Sequence, residues 1–427
     1  MRKIYKFSKG RFTIFLEPES IKWSVATGEY NIDDITRVFE DNGTAESSNY
    51  VESDELSLVG ISVLPTFGCN LNCIHCFYES SPKKNEISLK KDDISKIINI
   101  IMNFNIQNVT IGGGEPLTWC YFEELITSIL QNTKANVFLL TNGLLLHRIA
   151  NTLKDYRNRI NVQVSLDACT PERYSIVRQG DFHRVVDNIA LLCKEGVKVS
   201  LSFTLHKYNH DQFIPFIKFC EVLGVGSLHF PILESFGRAQ KNSIGLSKKM
   251  LLNYYLFLVY YSFRIKNLEI FFVEEIKQRL INRIIRKNCV AGFRQVALGP
   301  DGYIYPCSEL IQSNFKICEL NNFDKLYEYL EDFRLKYGFG TPVVDRLCPD
   351  CHVKYLCGGG CRAVSMLKGG SYFDAMQSPV VCEILKNATL AVILEIASER
   401  MKGLSDPAEI YNNGVLELVR EYERCIV

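Results

Sequence analysis

LPTFGCNLNCIHCFYE, residues 64–79, places Cys69, Cys73 and Cys76 in a CxxxCxxC spacing directly behind the apolar run ISVLP at 61–65. That run reads as a strand, so the cysteines stand on the loop leaving its C-terminal end. A structural zinc site wants four protein ligands and usually takes CxxC pairs. His75, inside the loop, would be a strained fourth ligand. A four-iron cubane held by three thiolates instead keeps one iron without a protein ligand and open to a small molecule. On this segment alone, zinc and a purely structural cluster remain alternatives.

Outward from Ile61, short β-branched runs alternate with helical patterns. The strand candidates are 61–65, NVTIGG (108–113), NVFLLTNG (136–143), INVQVSLD (160–167), VKVSLSFTL (197–205) and VGSLHFPIL (225–233). Helical periodicity runs around 88–103, 121–132, 144–156, 182–195 and 211–223. Alternation of this kind builds βα units on a parallel sheet. Six units predict an α/β partial (β/α)6 TIM-like barrel over 60–240, with its chemistry at the C-terminal ends of the strands. Residues 1–59 predict a small α+β segment: a hairpin (FTIFLEP, IKWSVAT), then a helix NIDDITRVFED capped by Asn31. Residues 241–288 read as linking helix, strand and helix. Residues 289–383 form a glycine- and cysteine-rich region with little periodicity, which needs metal to supplement a small core. Residues 384–427 read as C-terminal helices.

Composition narrows the classes. Forty-nine basic against 48 acidic residues give a net charge of +1, so no global field gathers nucleic acid or an anionic membrane. The basic run RLINRIIRKN (279–288) reads better as a solvated helix face than as a phosphate-tracking patch. No apolar stretch approaches a membrane span, and no signal peptide is evident. These features predict a cytoplasmic protein, a compartment where thiols stay reduced. Sixteen cysteines there point to metal or cluster ligation. The scattered Cys120, Cys169, Cys193, Cys220, Cys318 and Cys425 read as small buried hydrophobes.

Beyond the cysteines, GGEP at 113–116 ends the second strand, SLD at 165–167 ends the fourth, and VRQG follows at 177–180. Together with CxxxCxxC, these motifs resemble the radical S-adenosylmethionine superfamily over roughly residues 60–240. The resemblance implies that Cys69, Cys73 and Cys76 hold a [4Fe–4S] cluster whose open iron is chelated by the amino and carboxylate groups of S-adenosylmethionine. Reductive cleavage of that cofactor would yield a 5′-deoxyadenosyl radical able to abstract hydrogen. It further implies that Gly113, Gly114 and Glu115 hold the cofactor's amino group, and that Ser165 and Asp167 bind ribose and carboxylate. Arg178 would bind the carboxylate, and Leu205 would lie beside adenine. His75 departs from the aromatic residue usual before the third cysteine, and an imidazole can still stack on adenine.

A second series follows at Cys289, Gly302 and Cys307, then Cys348, Cys351, Cys357, Cys361 and Cys382. Its spacing resembles the SPASM auxiliary-cluster domain. That resemblance implies two further [4Fe–4S] clusters, three in all. One would be held by Cys348, Cys351, Cys357 and Cys382, and the other by Cys289, Cys307 and Cys361. The second lacks a fourth cysteine: Gln295 occupies that position, so an open iron is expected unless Cys318 closes the site. A GRA element at 237–239 matches relatives as well.

This pairing of domains implies an oxidoreductase that modifies peptides, served by an external electron donor such as a flavodoxin or ferredoxin. The sequence favours a maturase that installs a thioether or related crosslink in a ribosomally synthesised precursor peptide. Residues 1–59 would then recognise the leader, or serve only as a decorative hairpin. A sulfatase-maturase-like role is less favoured, since Ser308 stands where those enzymes carry a catalytic aspartate. A non-enzymatic iron–sulfur electron carrier would explain the cysteines but not GGEP, SLD and Arg178.

Overall fold

The computed structural model describes residues 3–31, 39, 56–84, 87–265, 268–311, 313–374, 378–400 and 406–424. The chain divides into two compact units, each built from separated segments. One comprises Met1–Asp54, Ser247–Cys289 and Thr341–Val427; the other comprises Glu55–Leu246 and Val290–Gly340. The cysteine-rich stretch 289–383 is therefore shared between them.

In the first unit, β1 (Tyr5–Lys9), β2 (Phe12–Glu17) and β3 (Lys22–Thr27) form an antiparallel sheet in that order. The sequence reading found the β2–β3 hairpin and missed β1. Its segment YKFSK is polar and largely exposed, so the apolar signal that marks β2 is absent. Every residue of β2 is buried, and the long helix Pro379–Arg400 packs on β2 and β3. The helix expected over 31–41 lies outside the described residues, apart from Asn31 and Phe39. The expected helix–strand–helix is present as Lys248–Arg264, Glu269–Ile270 and Phe271–Asn282. Ser247 starts the first of these by accepting from the Met250 amide.

The second unit carries the parallel strands β4 (Gly60–Val63), β5 (Asn108–Ile111), β6 (Asn136–Thr141), β7 (Ile160–Ser165), β8 (Lys198–Ser202) and β9 (Ser227–His229). They are hydrogen-bonded in sequence order. Between them run the helices Asp93–Asn103, Phe122–Asn132, Phe182–Lys194 and Phe213–Leu223, each burying an apolar stripe. The barrel stays open, because the outer edge of β4 pairs with the strand Gln295–Leu298 rather than with β9. Strands Tyr303–Tyr305 and Cys318–Glu319 extend that edge antiparallel.

Among the helices that escaped the sequence reading are Pro171–Val177 and Leu326–Tyr337. The first is only two turns long. Thr170 starts it by accepting from the Arg173 amide, and Pro171 sits at its first position, where no donor is needed. Several strands also end sooner than read: β9 keeps only Ser227–His229 of the predicted 225–233.

Candidate active site at the strand ends

The cysteine loop leaves β4 and is tied down on two sides by backbone and on a third by the Arg238 side chain. The Gly114 amide donates to the Thr66 carbonyl at 2.9 Å and the Glu115 amide to the Gly68 carbonyl at 2.8 Å. Here both glycines are required by space. Gly113 has φ of +112°, and a side chain on Gly114 would run into the carbonyl oxygens of Phe67 and Gly68. The Ile74 amide donates to the Val177 carbonyl at 3.1 Å. From the far side, Arg238 donates through Nε to the Cys73 carbonyl at 2.6 Å and through Nη2 to the Ser80 carbonyl at 2.9 Å. The GRA element is thus a clamp on the loop.

Glu115 is fully buried and its carboxylate joins two turns. Oε1 accepts from the Thr141 hydroxyl at 2.8 Å and the Leu117 amide at 3.2 Å, and Oε2 accepts from the Asn142 amide at 2.7 Å. Burial nevertheless pushes this carboxyl up from 4.5 to about 7. A carboxyl with a raised folded pKa binds its proton more tightly in the folded state. Its stabilising contribution is therefore complete below about 4.5 and is lost as pH climbs through about 7. In the unloaded protein, Glu115→Gln should flatten the fall of unfolding free energy across that window, by at most about 3 kcal/mol. Parallel pH profiles for the variant and the parent would show instead that the three donors keep the carboxylate ionised.

A second charged centre lies at the ends of β7 and β8. Asp167 is fully buried at φ of +50°. Its Oδ1 accepts from the Thr204 amide at 2.6 Å, while Oδ2 pairs with Arg178 Nη2 at 2.5 Å and His75 Nε2 at 3.1 Å. Burial would raise this carboxyl, but the Arg178 charge and His75 outweigh it and hold it well below the carboxylate range. His206, also fully buried, lies beside His75 with ring centroids 5.4 Å apart. Its Nδ1 accepts from the Tyr208 amide at 3.1 Å, which leaves the proton on Nε2. Burial holds this imidazole down at about 4, so it stays neutral. Leu205 is buried next to it, and Ser165 is half-buried at the end of β7.

The structure therefore brings His75, Asp167 and Arg178 into one contact group. Gly113, Gly114 and Glu115 form the turn beneath the cysteine loop. Sequence reading missed Asn142, His206 and the clamping role of Arg238. The Asn-Gly pair at the end of β6 was a turn signal, but only its fold-back onto Glu115 gives it a role.

The cysteine sulfurs accept nitrogen donors. The Leu71 amide reaches Cys69 Sγ at 3.4 Å, Asn142 Nδ2 reaches the same sulfur at 3.8 Å, Arg178 Nη1 reaches Cys73 Sγ at 3.7 Å, and the Ser80 amide reaches Cys76 Sγ at 3.3 Å. Without metal, burial pushes the Cys69 thiol up to about 12 and raises that of Cys73. Several buried polar atoms around them lack a protein partner: His75 Nδ1, Ser80 Oγ, Tyr174 Oη, Arg178 Nε and His206 Nε2. Among the described residues no group of Cys, His, Asp or Glu side chains converges on one metal ion. A cubane does not require that, since each thiolate ligates a different iron. Three donor-bonded sulfurs beside unpartnered polar atoms fit a cluster with a polar small molecule on its open iron.

In the other unit, the thiols of Cys348, Cys351, Cys357 and Cys382 lie near enough to act on one another's charge. Burial raises those of Cys348, Cys357 and Cys382, that of Cys357 to about 11, and neighbouring thiolates add to each rise. Cys289 and Cys361 also belong to that unit, whereas Cys307 belongs to the open-barrel unit.

Residues 63–220 match the sequence model of the Radical SAM superfamily. This part of the chain is a radical SAM domain. The further similarities differ in kind. A probable GTP 3′,8-cyclase of Saccharolobus islandicus is 33% identical over 183 residues, 42% of this chain and 58% of that protein. A second, from Methanocaldococcus jannaschii, is 33% identical over 177 residues, 40% and 57% of the two chains. The chain thus spans less than two thirds of the length of these curated relatives. Solved structures match almost end to end at low identity. Streptococcus suis SuiB bound to S-adenosylmethionine has a TM-score of 0.62 at 16% identity, covering 88% of this chain and 98% of its own. Native anSMEcpe with bound AdoMet and the Cp18Cys peptide has 0.63 at 19%, covering 86% and 99%.

In a radical SAM domain the cluster supplies the electron that cleaves bound S-adenosylmethionine. Cys69, Cys73 and Cys76 would hold it. What the chain's own residues contribute is a buried loop fixed by Gly114, Glu115 and Arg238, a carboxylate-arginine pair with defined charge, and a neutral imidazole whose Nε2 proton is available as a donor. Among the described residues, no helix is long and apolar enough to cross a membrane.

Proposed function

We propose that this chain is a radical SAM peptide maturase that installs a crosslink, a thioether or a related bond, in a ribosomally made peptide. What supports this reading is that Cys348, Cys351, Cys357 and Cys382 belong to the unit outside the radical SAM domain and lie near enough for the charge of one to raise another's thiol. Four neighbouring thiols there supply an auxiliary [4Fe–4S] site, and crosslink formation needs an electron acceptor once hydrogen has been abstracted. The whole-length likeness to SuiB, also solved with its precursor peptide SuiA, and to anSMEcpe with a bound peptide supports a peptide substrate. Cys289, Cys307 and Cys361 would hold a second auxiliary cluster. Gln295, at the position of its absent fourth ligand, is engaged by donating to Ser62 Oγ at 3.0 Å, and Cys318 is buried in a paired strand. Both features favour an open iron there. An external electron donor and a cytoplasmic setting complete the reading, with residues 1–59 as the candidate leader-binding segment.

The second reading is a nucleotide substrate, favoured by the 33% identity to a probable GTP 3′,8-cyclase over 183 residues. Anaerobic incubation of the reconstituted protein with reductant and S-adenosylmethionine decides between them. A peptide encoded beside this chain should lose two hydrogens by mass and become resistant to thiol alkylation, while GTP is returned unchanged. Conversion of GTP with an unmodified peptide would overturn the proposal in favour of the nucleotide.

A further inference from the structure

Two side chains donate to the cysteine sulfurs from outside the loop, and they differ in charge. Arg178 reaches Cys73 Sγ through Nη1 at 3.7 Å while its Nη2 is held by Asp167 at 2.5 Å. Asn142 reaches Cys69 Sγ through Nδ2 at 3.8 Å and Asn70 Oδ1 at 2.7 Å. Both residues are almost wholly buried, Arg178 at 7% exposure and Asn142 at 6%, so solvent screens neither donor. The remaining donors to these sulfurs are the backbone amides of Leu71 and Ser80, which any residue but proline would supply.

We propose that Arg178 and Asn142 set the reduction potential of the cluster held by Cys69, Cys73 and Cys76. This rests on the radical SAM reading of that loop. Reduction adds one negative charge to the cluster, and hydrogen bonds to its sulfurs stabilise the more negative state. A buried guanidinium beside Cys73 does so more strongly than a neutral amide, because it contributes a full charge in a medium that screens weakly. Asp167 holds Arg178 in place and offsets part of its charge at Cys73, where the arginine still acts the more strongly: the carboxylate lies on the opposite arm of the fork, leaving Nη1 on the sulfur. Arg178 and Asn142 are therefore positioning residues, acting through the cysteines on how readily the cluster accepts its electron. The resemblance-based role of Arg178 as a carboxylate ligand concerns a different atom of the same side chain, since its buried Nε has no protein partner.

The test is a redox titration of the reconstituted full chain, followed by electron paramagnetic resonance. The cluster in question is the one whose signal changes when S-adenosylmethionine is added, and the titration itself is run without the cofactor. Arg178→Met should lower its midpoint by at least 59 mV, a tenfold loss of reduced cluster at a fixed potential. Arg178→Lys, which keeps a charge but not the fork, should fall between Met and the parent, and Asn142→Ala should show a smaller drop. Parental midpoints in Arg178→Lys and Asn142→Ala, whether Arg178→Met retains its iron or loses it, would overturn the proposal and leave the arginine a role in assembly only. If no signal of the parent protein responds to S-adenosylmethionine, the radical SAM reading fails first, and the two failures are thereby told apart.

Discussion

Replacing Cys69, Cys73 and Cys76 together with alanine should abolish formation of 5′-deoxyadenosine from S-adenosylmethionine while leaving auxiliary iron bound. The loop carrying these three is anchored wholly within the open-barrel unit, to β5, to the end of the helix Pro171–Val177 and to Arg238. Cys348, Cys351, Cys357 and Cys382 lie in the other unit. Removing the first set takes away every thiolate of one site and no ligand of the other. Loss of activity should be complete, because no neighbouring side chain can replace three thiolates, and a two-thiolate site would not retain a cubane. Iron and sulfide analysis of the variant, set beside product analysis by chromatography, checks both halves. Undiminished 5′-deoxyadenosine would remove the assignment of this loop altogether. Loss of all iron would mean that the two regions do not assemble independently.

Asp167→Ala should destabilise the unloaded protein by about 3–5 kcal/mol, the usual cost of leaving a buried charge without its partner. Arg178 is the charge left behind, and the Thr204 amide loses its acceptor at the same time. Asp167→Asn should cost distinctly less. Asparagine tolerates the left-handed backbone at φ of +50° and keeps an oxygen for the Thr204 amide. The comparison separates charge from conformation. Because the Asp167 carboxyl is depressed below its unfolded value of 3.8, the stability it confers is present above that pH and is lost as pH falls further. Urea unfolding at neutral pH gives the two free energies. Equal costs for Ala and Asn would show that the ion pair contributes little and that the backbone interactions of this turn dominate.

How far the sequence reached can be judged from individual elements. The strands β4 to β8 were legible because they are short apolar or β-branched runs, even where burial alternates, as in β6, whose Phe138 and Leu140 stay exposed. The helices between them were legible by their apolar periodicity. β1 was not, because an edge strand with one solvated face leaves little apolar signal in YKFSK. The helix Leu326–Tyr337 was hidden because its apolar stripe of Leu326, Leu330 and Phe333 is narrow within a region dominated by turns.

The site divides in the same way. Cys69, Cys73, Cys76, Gly113, Gly114, Glu115, Asp167 and Arg178 are the candidates that sequence motifs single out; all but Arg178, which follows the helix Pro171–Val177, fall near strand ends, where local spacing places them. The contacts of Asn142, His206 and Arg238 could not be read in this way. Their neighbours are 73, 131 and 165 residues away in the cases of Asn142 with Cys69, His206 with His75, and Arg238 with Cys73. Sequence by itself determined the alternation of strand and helix and which cysteines share the short spacings proposed to hold iron, because both of these depend on periodicity and local spacing. Only the tertiary structure decided which buried donors face those sulfurs, which carboxylate is ionised and which is pushed toward neutrality. Those properties depend on desolvation and on charges that approach only when distant strand ends are packed side by side.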